Sequence, residues 1–158
     1  MNKELKALED TTTWELVHLP QGKKPIGCKW VFKVKKNANL IVERYKARLV
    51  TKGYIQIEGE DYTESFSPVA KVVTVRIIFA LAVAHNWKVH QMNVNNAFLH
   101  DSLDEVIYMQ PPPGIQLQSR GQVCLLRKSL YGLKQASRQW NNTFTNAIKD
   151  YGYKQSPK

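Results

Sequence analysis

Two stretches, Lys29-Trp-Val-Phe-Lys-Val-Lys-Lys36 and Arg44-Tyr-Lys-Ala-Arg-Leu-Val50, decide the fold. In the first, Trp30, Phe32 and Val34 alternate with Lys29, Val31, Lys33 and Lys35. A period of two puts the aromatic set on one face of a half-buried strand and the cations on the other. In the second, Arg44, Lys46 and Arg48 share a face by the same rule. Asn37-Ala-Asn39 supplies turn residues between them, so the pair predicts a β-hairpin studded with cations.

Working outward, Lys3–Glu9 predicts a short amphipathic helix with Leu5 and Leu8 on one face. Beyond the hairpin, Pro68 ends a polar loop, and Val72–His85 predicts a mostly buried helix that stops near Asn86. Trp87–Val94 predicts a strand. Pro111-Pro-Pro-Gly114 is a hard break, with short paired strands expected at Val106–Met109 and Val123–Arg127. From Ala136, the residues Trp140, Phe144, Ile148 and Tyr151 form a helical stripe read as core packing, with Gly152 at the C′ position. The order of elements predicts an α+β fold.

The 158 residues hold 43% hydrophobic and 23% charged residues, which disfavours wholesale disorder. Arg76 interrupts the longest apolar run, which is too short to span a bilayer, and the polar start MNKELKALED has no apolar h-region, so neither a signal peptide nor a membrane partner is expected. Two cysteines, Cys28 and Cys124, without CxxC spacing argue against a disulfide framework or zinc site and place the protein in a reducing, intracellular compartment, nucleus and cytoplasm being equally compatible. The net charge of +10 is unevenly spread: residues 21–52 carry +9, residues 120–158 carry +7, and residues 53–67 carry −4. Two basic blocks around an acidic loop point to a polyanionic partner, most simply RNA or DNA bound weakly; a solvated basic surface is the plain alternative. The four histidines share no spacing and are read as packing or surface residues. The sequence sets no oligomeric state.

Several segments, taken together and in order, resemble the reverse transcriptase domain of Ty1/copia-type retrotransposons. They are Trp14-Glu-Leu-Val17, Ile26-Gly-Cys-Lys-Trp-Val-Phe-Lys33, Tyr45-Lys-Ala-Arg-Leu-Val50 with Lys52-Gly53, Asp61-Tyr62 with Glu64-Ser-Phe-Ser-Pro-Val69, Gln91-Met-Asn-Val-Asn-Asn-Ala-Phe-Leu99, Val106-Ile-Tyr-Met109 with Pro112-Pro-Gly114, and Leu130-Tyr-Gly-Leu-Lys-Gln-Ala136 with Trp140. The resemblance implies a truncated domain over 1–158, a partial right-hand polymerase. A fingers-like hairpin region would occupy about 11–52, and an incomplete palm with further fingers about 68–158.

The resemblance also implies a metal requirement. The family uses two Mg²⁺ held by three aspartates, one in the first palm strand and two in a later Tyr-x-Asp-Asp hairpin. Here Asn93 stands at the first position and Tyr-x-Asp-Asp does not occur. A neutral amide oxygen replaces a full negative charge, so no catalytic carboxylate is intact, no metal is expected on this chain, and RNA-directed DNA polymerase activity is expected to be absent. Asp101, Asp104 and Glu105 are read as a solvated turn or the N-terminal end of a short segment rather than as substitutes. Asp101 stands where the family has Gly, so strain is expected after Leu99.

Other roles carried by the resemblance are nucleotide contact by Lys36, Lys46, Arg48, Asn96, Ala97 and Phe98. Among these, Phe98 resembles the gate against the ribose 2′-hydroxyl, a core aromatic being the plain alternative. Template–primer contact falls to Lys33, Lys35, Tyr131, Gly132 and Lys134, the last three in the loop under the templating base pair. Ser137 replaces an expected Pro, which loosens that loop. Besides an inactive piece of a reverse transcriptase, the sequence is compatible with a non-enzymatic nucleic-acid-binding remnant, with part of a longer active enzyme, and with an unstable domain whose sheet edge is exposed.

Overall fold

The computed structural model describes residues 1–117 and 119–155; Lys158, the last cation of the C-terminal basic block, lies outside them. Helix α1 (Asn2–Asp10) leads into strand β1 (Trp14–His18), then the hairpin β2 (Cys28–Lys36) and β3 (Val42–Thr51). A 3-10 turn at Gly53–Ile55, helix α2 (Val72–Ala84) and a second 3-10 turn at Ala97–His100 follow. Strands β4 (Tyr108–Met109) and β5 (Gln122–Leu126) and helix α3 (Ala136–Asp150) complete an α+β fold. The antiparallel strands form a sheet ordered β1-β5-β4 and a separate β2-β3 pair.

The hairpin forms as its alternation requires. Its turn is an Asx turn: Asn37 Oδ1 accepts the backbone N–H groups of Asn39 and Ile41. Val31 faces Arg48, Lys33 faces Lys46, and Lys35 faces Arg44, so the cations of both strands share one face. At the base of the opposite face, Trp30 donates its indole N–H to the Pro113 carbonyl and Leu49 is buried. Farther out the apolar face is open, with Phe32 and Tyr45 exposed, so only the base of each strand is half-buried as expected.

The core lies where β1, β5 and β4 meet the base of the hairpin. Leu8, Ile26, Leu49, Ile107, Met109, Cys124, Leu126 and Leu130 are buried in it, and Trp14, Leu16 and Cys28 pack against it. Strand β1 was not expected from alternation: Trp14-Glu-Leu-Val pairs residue for residue with β5. The short strands at Tyr108–Met109 and Gln122–Leu126 pair as expected.

Three expectations need correction. Val72–Ala84 is helical, but only Ala82 is buried, and Phe79 is 52% and Val83 79% exposed. Apart from Thr74 and Arg76 the helix is apolar around its circumference, which calls for cover on most sides, and among the described residues no element supplies it. Trp87–Val94 finds no ladder partner and forms no strand; Trp87 stacks on His85 instead. The Trp140 stripe of α3 is not core either. Trp140 and Phe144 stack on each other at 5.6 Å, Phe144 and Tyr151 are exposed, and the buried face is Ala136 and Gln139. Gly152 does close the helix as expected, with φ +90° and its N–H donating to the Lys149 carbonyl.

Candidate nucleic-acid interface

The cationic face of the hairpin has like charges directly across the ladder, Lys33 against Lys46 and Lys35 against Arg44. Such pairs repel and destabilise a hairpin unless an anion neutralises them. With Val31, the side chains of Lys33, Lys35, Lys46 and Arg48 line a groove of about 160 Å³. Lys46 and Arg48 are half-buried rather than fully solvent-facing as the alternation alone implied. Burial first, then the neighbouring Arg48 and Arg44, hold the Lys46 ammonium below the usual lysine value, partly offset by Glu4 on α1. Burial, opposed by Arg48 and Lys46, pushes the Glu4 carboxyl up.

Arg48 joins the hairpin to the rest of the site. Its guanidinium lies 4.6 Å above the Tyr131 ring centroid. Tyr131 in turn meets Phe98 edge-on, centroids 4.7 Å apart at 71°. Three residues assigned from three separate segments therefore form one continuous column. Phe98 is half-buried and packs against the core, so its role as an aromatic neighbour of Tyr131 and its role as packing coincide. The turn carrying Tyr131 is pinned to β3: the Tyr131 carbonyl accepts the Thr51 backbone N–H at 2.8 Å and its hydroxyl at 3.1 Å. Gly132, at φ +97°, sits so close to Thr51 that a Cβ would overlap its carbonyl, and a Cβ on Gly53 would overlap the Gly132 carbonyl.

Not every expected residue joins the column. Lys36 lies beyond a register shift between Lys35 and Lys36 and does not line the groove. Asn96 is left-handed, at φ 52° and ψ 40°, and starts the 3-10 turn whose Leu99 N–H it accepts; Ala97 follows, half-buried. The Lys134 ammonium is engaged locally, donating to the Gln56 carbonyl at 3.1 Å and the Tyr62 hydroxyl at 3.2 Å. Gln56, Tyr62 and Gln135 thus support the site; Tyr62 and Gln135 lie in the quoted motifs without an assigned role, and Gln56 lies outside them, because a buried amide leaves no periodic signature.

Asn93 is exposed, and its amide donates to Asn95 Oδ1 at 3.3 Å. Asp101 is not in a solvated turn. It is 2% exposed, with neither carboxylate oxygen partnered, opposite Ser129, whose N–H donates to the Asp101 carbonyl. Its φ of −95° suits any residue, so its cost is desolvation and not backbone strain. Asp104 is exposed and Glu105 accepts from Gln139. Among the described residues no three His, Cys, Asp or Glu side chains converge. A hard divalent cation needs several anionic oxygens, and a lone neutral amide at position 93 does not fit Mg²⁺. No helix among the described residues is long and apolar enough to cross a membrane.

The family model for reverse transcriptase (RNA-dependent DNA polymerase) matches residues 11–158. The chain is 47% identical over 154 residues to the retrovirus-related Pol polyprotein from transposon TNT 1-94 of Nicotiana tabacum, covering 97% of this chain and 12% of that protein. It is 45% identical over 155 residues to the Pol polyprotein from transposon RE1 of Arabidopsis thaliana, covering 97% of this chain and 11% of the relative. The truncated transposon Ty1-A Gag-Pol polyprotein of Saccharomyces cerevisiae is 28% identical over 159 residues, 98% of this chain and 12% of that protein. The chain thus spans about an eighth of the curated relatives it matches. No solved structure matches it. The ordered motifs, the α+β fold and the match over nearly the whole length agree, and the chain belongs to the reverse transcriptase (RNA-dependent DNA polymerase) family.

Proposed function

We propose that this chain is the fingers-and-partial-palm portion of a retrotransposon reverse transcriptase, that it grips nucleic-acid and nucleotide phosphates, and that it does not polymerise by itself. The observation that carries the reading is the Arg48–Tyr131–Phe98 column beside Lys33, Lys35 and Lys46. Mutually repelling ammonium groups gain most from a phosphate that bridges them, and a stacked guanidinium offers that phosphate a preoriented fork of donors. The hairpin of about 11–52 acts as fingers, and about 68–158 contributes the palm portion. In a complete polymerase, bound Mg²⁺ supplies the charge that activates the primer hydroxyl and neutralises the triphosphate. This chain's own residues bind and orient; Asn93 carries no charge to contribute.

The test is a titration of the 158-residue chain with single-stranded RNA at several salt concentrations. Three to five phosphate contacts give a slope of roughly −2 to −4 in log K against log salt. Lys46→Glu with Arg48→Glu flattens that slope while a circular-dichroism melt stays cooperative. An unchanged slope sinks the hairpin as the binding surface. On a primed RNA template with Mg²⁺ or Mn²⁺, neither the chain nor its Asn93→Asp variant extends the primer; extension by pure protein overturns the non-catalytic reading.

A further inference from the structure

Two glutamines behind the cationic face are buried beyond the reach of any ligand. Gln56 is 4% and Gln135 0% exposed. Gln56 Nε2 donates to Gln135 Oε1 at 3.1 Å, and Gln56 Oε1 accepts the Lys134 backbone N–H at 2.9 Å. Gln135 Nε2 donates to the Asp61 carbonyl at 3.1 Å. All four side-chain polar atoms of the two glutamines are therefore bonded, and each bond dictates the orientation of the next amide. Lys134 closes the arrangement from outside, its ammonium shared between the Gln56 carbonyl and the Tyr62 hydroxyl and lying 4.8 Å over the Tyr62 ring. A buried polar network in which every polar atom has a partner rigidifies what it joins. What it joins is the 53–62 segment and the turn that presents Tyr131.

We infer that Gln56 and Gln135 are positioning residues of the phosphate-binding face: their amide pair holds the Tyr131 turn in place and so sets the ring on which the Arg48 guanidinium rests. This rests on the phosphate-binding reading above. A half-buried arginine still samples several rotamers, and a fixed ring under its guanidinium keeps its donors aimed at one place. Thr51 holds the start of the turn through the Tyr131 carbonyl, and the glutamine pair holds its far end through the Lys134 N–H and Gln135 side chain.

The inference predicts an effect of uncharged, volume-conserving changes on an electrostatic quantity. Gln56→Met and Gln135→Met alter no charge, so a bystander role leaves the salt slope for single-stranded RNA unchanged. A positioning role costs the Arg48 contact: affinity falls about threefold or more, and the slope shrinks by about 0.7, the value of one single-strand phosphate. Added to Arg48→Ala, the same changes cause no further loss. Circular-dichroism melts identify the folded variants. Should both methionine variants fail to fold, Tyr62→Phe removes a single hydroxyl from the Lys134 ammonium. It is expected to weaken binding about twofold, again only while Arg48 is present. Unchanged affinity and slope in a folded clamp variant overturn the inference, as does a loss that adds fully to that of Arg48→Ala. If Arg48→Ala itself leaves the slope unchanged, the phosphate-binding reading fails and the clamp's role falls with it. A flattened Arg48→Ala slope beside unchanged clamp variants overturns the clamp alone.

Discussion

Asp101 and Cys124 show how one side chain's surroundings set its contribution. The Asp101 carboxylate is buried without a partner, and a buried unsatisfied polar group costs stability that a neutral small residue recovers. Asp101→Ala is expected to raise stability by about 1–3 kcal/mol, read as an upward shift of the thermal midpoint; a lower midpoint would mean that the carboxylate has a partner in solution. Cys124 is fully buried in β5, and burial, with a smaller effect of Cys28, pushes its thiol up to about 12. Its folded value lies above the unfolded one, near 8.5, so the folded state keeps the proton longer. The stabilisation is complete below about pH 8.5 and is lost as pH rises toward 12, by up to about 1.4 kcal/mol per pH unit in that window. Cys124→Ala is expected to lower stability at neutral pH and to reduce the alkaline decline; an equal decline in both proteins would place its origin elsewhere.

At the level of elements, the hairpin carries its own sources of strain. Leu40 closes the turn at φ +62°, a conformation that a branched apolar residue adopts at a cost of about 1–2 kcal/mol, and its side chain is exposed. Leu40→Gly is therefore expected to stabilise the chain by about 1 kcal/mol in a denaturant titration, since glycine populates this region freely. The join between the hairpin and the Tyr131 turn is the opposite case. At Gly53 a Cβ would overlap the Gly132 carbonyl, so Gly53→Ala must part the two segments. A loss of about 2 kcal/mol or more is expected, with weaker RNA binding, and a neutral result would show that the close approach is not kept in solution. Repulsion between Lys33 and Lys46 and between Lys35 and Arg44 explains why the hairpin should be firmer with phosphate present than without it.

Across the whole molecule, order and exposure divide by segment. Glu64 pairs with Arg138 at 3.2 Å and Ser67 donates to the Ser137 carbonyl, which ties the chain to α3 up to that point. Beyond it, Val69, the length of α2, Trp87 and Met92 leave apolar surface open. Contiguous apolar surface of this kind drives association. The 158-residue chain is expected to self-associate with rising concentration and to bind a hydrophobic dye. Ile77→Lys with Val83→Glu should reduce both while leaving the RNA salt slope unchanged. Sedimentation that stays monomeric and free of dye binding would count against the exposed helix.

The alternation of Trp30, Phe32 and Val34 with lysines determined the hairpin, its turn and its cationic face, because a period of two leaves a strand no second arrangement. Gly152 and the Pro111–Gly114 break likewise act locally, through backbone conformations open to few residues. The ordered motifs determined the family, and they named Arg48, Tyr131 and Phe98 one segment at a time. Only the tertiary structure decided that these three form one column, since ring and guanidinium contacts between residues 98, 131 and 48 depend on how three segments cross. It also decided which apolar stripes are core. Periodicity reports that a face is apolar and is silent on whether another element lies against it, so α2 and the Trp140 stripe read as buried and are not. The Gln56–Gln135 pair and the orphaned Asp101 were invisible for a related reason: burial of a polar side chain is a property of its surroundings, and residues 79 and 28 positions apart along the chain supply them.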